Sequence, residues 1–193
     1  MAEREPHEAP HRVAELINRL GLAARSLSQS AGLAPAQWDA LRFLGRANRY
    51  SRKPSAVADF LGATRGTTSQ TLLTLAHKAL IERRADLVDH RIVRLELTEA
   101  GRTLLAADPL HEFADALVPD DAERLAHDLL GLLLAVQRRR GHKSFGVCQS
   151  CRHFRRGDAP DEPGGPHRCG LTLEPLSEPD SGQICAEHTV RAA

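Results

Sequence analysis

The chain has no cysteine in its first 147 residues, and aromatic residues make up only 4% of its 193 residues. Its longest nearly unbroken apolar run, residues 129–136, is far shorter than the ~20 residues of a membrane helix. No apolar stretch follows the charged start of the sequence, as it would in a secretory signal. These absences predict a cytoplasmic protein that does not span a membrane.

A strong net charge is also missing, because 26 lysines and arginines nearly balance 25 aspartates and glutamates. The local balance differs along the chain. Residues 36–102 hold twelve basic and seven acidic side chains, whereas residues 103–193 hold ten basic and fourteen acidic ones. Since local charge attracts a polyanion, we expect the central segment to face nucleic acid and the later part not to do so.

Signatures of catalysis are missing as well. No glycine-rich phosphate loop follows a strand pattern, and no nucleophile elbow is present. The hydrophobic residues, 41% of the chain, suffice for a buried core. We therefore expect a folded protein that is not an enzyme.

Apolar residues recur at helical spacing over 11–30 and after two prolines, Pro35 and Pro54. Thr64 suits the N-cap of a fourth helix, whose first turns are small and polar and whose later turns are apolar. A short helix, a turn near Gly62 and a second helix with a polar N-terminal half is typical of a helix-turn-helix. That pattern predicts DNA binding through the major groove.

Two short β-type segments, 81–85 and 91–98, follow and are joined by residues 86–90, so a β-hairpin wing is expected. Helical patterns then resume, with a break near Pro109 and an end before Pro119. Residues 120–123 resemble a capping box that opens a final helix. Its predicted end is Gly141, directly after three arginines that favour the negative end of a helix dipole.

Three segments of this region are similar to those of one regulator family. They are AQWDALRFL at 36–44, LGATRGTTSQTLLTLAHKALIERR at 61–84, and the wing sequence Asp89-His90-Arg91 followed by LELTEAG at 95–101. With them the chain resembles the multiple-antibiotic-resistance regulator (MarR) family of winged-helix repressors over about residues 11–140. A disordered N-terminus, residues 1–10, is expected before it. One departure is Ala79, where the family usually has glycine.

The resemblance implies a mainly α-helical winged helix-turn-helix with a small β wing. It also implies a homodimer, in which the outer helices of two chains, 11–30 and 103–140, pack together. Two recognition helices would then lie on a pseudo-palindromic operator in double-stranded DNA. The apolar stripes of those outer helices, which exceed the needs of one small winged helix, agree with a dimer.

Side chains that read or hold DNA are expected on the fourth helix, the wing and the basic loops. Arginine pairs with guanine, glutamine with adenine, and threonine with either a polar base edge or a thymine methyl. The candidate base contacts are Arg65, Thr67, Thr68, Gln70 and Thr71. At the wing tip Arg91, oriented by Asp89, is expected to meet the minor groove or a phosphate. Candidate phosphate contacts are Arg52, Lys53, Arg83 and Arg84.

All four cysteines lie in the last part of the chain, residues 141–193, which has too few apolar residues for a core of its own. Their order is a Cys-x2-Cys pair, Cys148 and Cys151, then Cys169 and Cys185 far apart. In a reducing compartment such a set indicates metal ligation or redox chemistry. The sequence therefore predicts a small irregular metal-binding module.

The metal itself has two candidate identities. One Cys-x2-Cys with two widely spaced cysteines resembles the pattern of high-potential iron–sulfur proteins, which favours a 4Fe-4S cluster. Only Phe145 and Phe154 could shield it, so a cluster would be open to oxidants and would suit a redox or iron sensor. The alternative is a structural zinc site with four cysteine ligands, although zinc sites usually have a second Cys-x2-Cys. Four histidines also lie here and could replace a cysteine, although an exposed polar role is favoured for each: His142, His153, His167 and His188.

Three functions therefore remain open. The first is a dimeric repressor whose operator affinity depends on the iron–sulfur cluster. The second is a regulator that responds to a small-molecule effector and carries a structural zinc. The third is a redox or electron-transfer protein that uses the cysteine segment while the helical part only assembles it.

Overall fold

The computed structural model describes residues 8–30, 32–86 and 92–191. The helices of this part are α1 (Glu8–Ser30), α2 (Pro35–Arg46), α3 (Pro54–Leu61), α4 (Arg65–His77), α5 (Glu99–Ala106), α6 (His111–Asp115), α7 (Pro119–Arg139) and α8 (Glu178–Ser181). The strands are β1 (Ile81–Ala85), β2 (Val93–Leu97), β3 (Phe154–Arg155), β4 (His167–Cys169) and β5 (Pro175–Leu176). The mainly helical architecture with a small β wing agrees with the expectation from the sequence.

Helix α2 lies at the centre of the hydrophobic core. Pro35 occupies its first turn, where the missing amide proton costs nothing, and Trp38, Leu41 and Leu44 are buried along one face. Helices α3 and α4 and strand β2 pack around this face, to which Leu95 contributes from the wing. The core therefore fixes the helix-turn-helix directly against α2.

The outer helices α1 and α7 keep their apolar stripes exposed. On α1 the stripe is 44–49% exposed and consists of Val13, Leu16, Ile17 and Leu20. On α7 it is 38–53% exposed and consists of Leu125, Leu129, Leu130, Leu132, Leu133 and Val136. Since burial of such residues is worth roughly 1.5–3 kcal/mol each, two long exposed stripes favour a partner.

The ends of these two helices differ from the sequence predictions. Helix α1 begins at Glu8, so residues 8–10 are helical rather than disordered, whereas residues 1–7 lie outside the described part. Helix α7 begins at Pro119 and has Val118 as its N-cap with no side-chain hydrogen bond, so the capping box expected at 120–123 is wrong. Proline at the first position already sets the helical φ angle there.

The wing is an antiparallel hairpin in which Ile81 pairs with Leu97 and Ala85 pairs with Val93. Its tip, residues 87–91, lies outside the described residues. Asp89 and Arg91 lie in this tip, so the roles expected of them stay predictions.

The Leu-Thr-x-x-Gly motif after the wing has a clear structural role. The Thr98 hydroxyl accepts a hydrogen bond from the Gly101 amide, which caps α5, and donates to the Ala79 carbonyl 2.7 Å away. A β-carbon at Gly101 would lie 2.1 Å from the Leu80 carbonyl oxygen. Only glycine allows α5 to approach the start of the wing this closely.

The last part of the chain is more ordered than the irregular module that the sequence predicts. Strands β3, β4 and β5 form a three-stranded antiparallel sheet in which Phe154 pairs with Cys169 and His167 with Leu176. We call the described residues 141–191 the cysteine module. No helix in the described part of the chain is long and apolar enough to cross a membrane.

Ala79 has a φ angle of 54°, in the left-handed region that glycine adopts without strain. Replacing Ala79 with glycine should therefore stabilise the protein by about 0.5–1 kcal/mol. The substitution relieves the backbone strain of the folded state, and the larger conformational entropy that glycine gives the unfolded chain offsets part of this gain. Urea unfolding would measure the gain. Ala106→Gly, in a right-handed helix, should lose about 0.5–1 kcal/mol instead; equal effects of the two changes would contradict the explanation.

Asp108 is 7% exposed and accepts hydrogen bonds from Arg42 Nε and Nη2, both at 2.7 Å, and from the Leu110 amide. Burial alone would raise the pKa of this carboxyl, but these hydrogen bonds lower it below its ordinary value of 3.8. The ionised form therefore stabilises the fold above pH 3.8, and this stability is lost as the pH falls through the lower folded-state pKa.

Asp108→Asn should therefore cost about 2 kcal/mol near neutral pH, because a charged hydrogen-bond acceptor is lost. The difference from wild type should shrink in acid, as Asp108 becomes protonated in the wild type too. Urea unfolding at several pH values measures both effects. Asp39→Asn is a matched control, since this half-exposed carboxylate accepts from Arg42 Nη1 at 3.0 Å and should lose less than about 1 kcal/mol.

Candidate nucleic-acid interface and cysteine site

Helices α3 and α4 form a helix-turn-helix whose turn is fixed by local hydrogen bonds. Gly62 ends α3 with a φ angle of 60°, in the left-handed region. The Thr64 hydroxyl then accepts a hydrogen bond from the Thr67 amide at 3.2 Å and caps α4, as the sequence predicts. Leu72 and Leu75 anchor the later turns of α4 in the core.

The first turns of α4 present their polar side chains to solvent. Arg65, Thr67 and Gln70 are exposed, and within the described residues Arg65 makes no ion pair. Thr71 is half-buried, and its hydroxyl donates to the Thr67 carbonyl within the helix. The exposed part of α4 can therefore reach a ligand with three side chains of the predicted set.

The burial of Thr68 contradicts the prediction that this residue contacts a base. It is 1% exposed, and its hydroxyl oxygen has no hydrogen-bond partner among the described residues. It precedes Leu72 by four residues and Leu75 by seven, so the helical period places all three on the face that packs into the core. That spacing was present in the sequence and could have excluded Thr68.

The four predicted phosphate contacts are placed differently from one another. Arg83 is exposed on β1 and has no ion-pair partner in the described ranges, whereas Arg84 pairs with Glu82 and with Glu96 across the hairpin. The other two turn toward the protein. Arg52 donates to the Ala47 carbonyl at 2.9 Å, and Lys53 lies 3.2 Å from Glu187.

A cleft of about 510 Å³ lies between α2, β2 and α5. Apolar residues of α2 and α5 form one part of its wall, and charged residues form another part. The charged and titratable residues are Arg52, Glu96, Arg102 and His111.

The cysteine module brings its four cysteines to one place. Cys148 opens a tight turn in which the Cys151 amide donates to its carbonyl at 2.8 Å. Cys169 ends β4, and the Cys185 amide donates to the Gly146 carbonyl at 2.9 Å. All four line a single cavity of about 20 Å³.

Five other residues complete the wall of this cavity: His153, Phe154, Leu171, Leu176 and Glu187. Burial, together with the smaller effect of the other three cysteines, raises the pKa of the Cys148 thiol to about 12. A bound cation would offset the cost of ionising such a set of thiols. As the described side chains stand, no group of three or more His, Cys, Asp or Glu residues is arranged to hold a metal ion.

Two histidines of the module are buried rather than exposed, which corrects the expectation for both. His167 is bonded through Nε2 to Glu178 at 2.9 Å and accepts from the Gly157 amide at Nδ1. His188 lies between the hydroxyl groups of Ser144 and Ser150. Both ring nitrogens of each histidine are thus already engaged.

The cysteine module packs against residues 46–53, the connection between α2 and α3, which we call the docking segment. The Ile184 amide donates to the Arg46 carbonyl at 2.7 Å, and the Asn48 amide donates to the Ile184 carbonyl at 2.9 Å. The Ala186 amide donates to the Ser51 hydroxyl at 2.8 Å. Cys185 is therefore flanked on both sides by residues bonded to the docking segment.

Side chains extend this contact. Burial raises the pKa of the Cys185 thiol, while hydrogen bonds that include those with Asn48 and Ser51 oppose the rise. Arg49 donates to the Pro175 carbonyl and pairs with Asp180 at 3.2 Å. Sequence reasoning missed these docking residues, although a basic loop and an acidic C-terminal part are complementary in charge.

Comparison with known proteins agrees with this geometry. Residues 31–92 match the model of the MarR family. Among curated proteins no sequence matches this chain. The chain is similar in fold to Streptococcus pneumoniae FabT in complex with DNA, with 20% identity and a TM-score of 0.53, over 69% of this chain and 99% of FabT.

Two further solved structures are similar. A mutant of S. aureus MepR has 21% identity and a TM-score of 0.52, over 66% of this chain and 98% of MepR. The transcriptional repressor CouR, bound to a 23-mer DNA duplex, has 22% identity and a TM-score of 0.50, over 68% of this chain and 99% of CouR. Sequence identities this low show a similarity of fold alone. The resemblance to the MarR family is nevertheless confirmed, and the winged-helix region matched at residues 31–92 is the part of the chain that carries it.

Proposed function

We propose that this protein is a dimeric DNA-binding transcriptional regulator that acts as a repressor. The observation that carries the proposal is the orientation of α4. Leu72 and Leu75 hold one face in the core, while Arg65, Thr67 and Gln70 extend from the other face of its first turns. A helix held in this way can enter the major groove by its N-terminal end.

The exposed stripes of α1 and α7 support the dimer. They belong to the two outer helices, and neither stripe is covered within one described chain. Packing them against a second copy would bury this apolar surface and relate two α4 helices by a two-fold axis. Such a dimer matches a pseudo-palindromic operator in double-stranded DNA.

Arg65 and Gln70 are the side chains best suited to read bases, since arginine pairs with guanine and glutamine with adenine. Arg65→Ala and Gln70→Ala should each weaken binding to the specific duplex by about 1–3 kcal/mol, or roughly 5- to 150-fold. Binding to a scrambled duplex should change less. A duplex selected from a random pool by the wild-type protein, followed by fluorescence anisotropy, provides the measurement.

Arg124→Ala is the matched control, because this arginine is exposed on α7 and its ion pair among the described residues is with Asp121, three residues earlier on the same helix. It should bind the selected duplex as the wild type does. Salt dependence gives a second criterion, since phosphate contacts predict a log–log slope of several units. If both α4 variants bound like the control, the proposed role of α4 would be wrong.

We propose further that the cysteine module controls DNA affinity through a metal centre on Cys148, Cys151, Cys169 and Cys185 that responds to redox or iron state. The contact with the docking segment supports this finer proposal. The docking segment leads directly into α3, the first helix of the helix-turn-helix. A change at Cys185 would therefore reach the DNA-binding element through two backbone hydrogen bonds of Ile184.

The module also follows α7 directly in the chain, which offers a second route through the dimer helices. The contacts favour the docking segment instead, since Arg49, Ser51 and Lys53 all bond to the module. Coupling of this kind requires two states of the contact that differ in DNA affinity.

Arg49→Ala tests the coupling, because it removes the contacts with Pro175 and Asp180 from a half-exposed side chain. We expect unchanged metal content, while the ratio of DNA affinities between metal-loaded and metal-free protein shrinks toward one. The ratio of the two affinities is measured, rather than either affinity alone, because a direct effect of Arg49 on DNA binding would change both affinities equally. Arg155→Ala, which removes an ion pair inside the module, should leave the ratio at its wild-type value; equal ratios in both variants would refute the route.

A second candidate function rests on the cleft of about 510 Å³. Its arginines, Arg52 and Arg102, suit a small effector with an anionic group, and the cysteine module would then be a zinc staple. The two candidates differ in one measurement. A colourless protein that binds DNA regardless of redox state favours the effector, whereas a coloured protein with altered affinity after oxidation favours the metal centre.

A further inference from the structure

We propose that the cysteine module carries a second DNA-binding surface, which contacts the phosphate backbone beside the operator. The surface consists of residues 152–156, with the sequence Arg-His-Phe-Arg-Arg, which we call the basic stretch. This inference rests on the proposed function, because it extends the DNA contacts of α4 and the wing. It departs from the expectation that the net acidic later part of the chain does not face nucleic acid.

The arginines of the basic stretch are exposed, and two of them have no carboxylate partner in the described part of the chain. Arg152, Arg155 and Arg156 all present their side chains to solvent. Arg155 lies 3.9 Å from Asp158, whereas neither Arg152 nor Arg156 makes an ion pair with a described residue. Positive charge that no carboxylate of the same chain offsets attracts a polyanion.

The carboxylates nearest in sequence to the basic stretch have cationic partners of their own. Asp158 lies 3.4 Å from Arg168, which also pairs with Glu162. Two carboxylates are thus matched by two arginines, Arg155 and Arg168. The two arginines without a carboxylate partner therefore give this surface its positive charge.

The backbone of the basic stretch is held from two sides. The Arg152 amide donates to the Thr189 carbonyl at 2.9 Å, and the His153 carbonyl accepts from the Gly170 amide at 2.7 Å. Strand β3, which forms the middle of the stretch, pairs with β4. Side chains on a fixed backbone lose less conformational entropy when they bind a ligand, which favours contacts from this position.

A continuous set of contacts connects the module to the wing. Arg94 of β2 donates at 2.6 Å to Asp86, which directly precedes the wing tip. The same guanidinium donates to the carbonyls of Arg49 and Tyr50 in the docking segment. The Tyr50 hydroxyl in turn donates to the Pro175 carbonyl of β5 at 3.1 Å. The module sheet therefore begins beside the wing and ends, at β3, with the basic stretch.

The width of this sheet sets how far the DNA contacts extend. Strand β4 lies between β5 and β3, and neighbouring strands are about 4.8 Å apart, so β3 is roughly 10 Å from β5. One base pair occupies about 3.4 Å of duplex, so this distance corresponds to at most about three base pairs. Arginines at such a position contact phosphates and strengthen binding without reading sequence.

Duplex length tests the proposal, because the basic stretch contacts DNA beyond the sequence that α4 reads. The full-length protein is titrated with a short duplex that contains only the selected sequence. It is also titrated with that duplex extended at each end by about ten base pairs, one helical turn, of arbitrary sequence. We expect tighter binding of the longer duplex and a log–log salt slope steeper by about two per protomer, since each phosphate contact adds about 0.9.

Variants of the basic stretch show whether it causes this gain. The double variant Arg152→Ala/Arg156→Ala should bind the short duplex as the wild type does and lose the gain from added length. Arg156→Lys should keep most of the gain, because lysine still offers a charge to a phosphate. Arg124→Ala, which removes an exposed arginine from α7, should keep all of it. Circular dichroism and thermal unfolding show whether each variant is folded.

The outcomes separate this inference from the proposed function. Equal affinities and equal salt slopes of the wild type for the two duplexes overturn the second surface and leave the proposed function intact. A double variant that keeps the gain from length, or that binds both duplexes equally weakly, also overturns it. A wild-type protein that binds neither duplex refutes the proposed function, and the second surface with it.

Discussion

The backbone pairing between Ile184 and the docking segment determines how the two parts of this chain relate. The Ile184 amide donates to the Arg46 carbonyl, and its carbonyl accepts from the Asn48 amide. Ile184 therefore pairs with Ala47, just after α2, as in a parallel β-bridge. Asn48 and Ser51 are both 1% exposed, which means that their polar groups were withdrawn from water and depend on this pairing. Separating the module would remove the partners of the Asn48 amide and the Ser51 hydroxyl, or expose both together with Ala47, whereas Asn48 Oδ1 would keep its hydrogen bond from the Ser51 amide.

Because of this pairing, the cysteine module does not need a complete core of its own. Few of its apolar residues are fully buried, among them Ala159, Leu176 and Ala186. Phe145 instead adds its ring to Phe43 and Phe60 of the winged-helix part, with centroids 6.0 and 5.2 Å away. The module therefore takes part of its stability from the domain that it contacts, and ligands at the cysteines would supply another part.

Most of the winged-helix fold could be predicted from the sequence, because local signals and global packing agree there. Pro35 and Pro54 open their helices, Thr64 caps α4, and Pro109 lies where the helix breaks. The site was less predictable. Residue types suggested Thr68 as a base contact, but its position on the α4 period decided its burial, and no local pattern could reveal that Arg49 meets a carbonyl 126 residues later.

The contact between the cysteine module and the docking segment also bears on how a signal would reach α3. A ligand shifts an equilibrium only by its difference in affinity for two states, so a metal centre affects DNA binding only if it stabilises one arrangement of the docking segment. Cys185 is the cysteine in contact with that segment, because its thiol interacts with Asn48 and Ser51 while its neighbours bond to the same segment. Loss of a ligand at Cys185 would free both the thiol and the strand beside it. The segment that holds α3 in place would then lose the partner that now satisfies its buried polar groups, and its conformation would no longer be determined by the cysteine module.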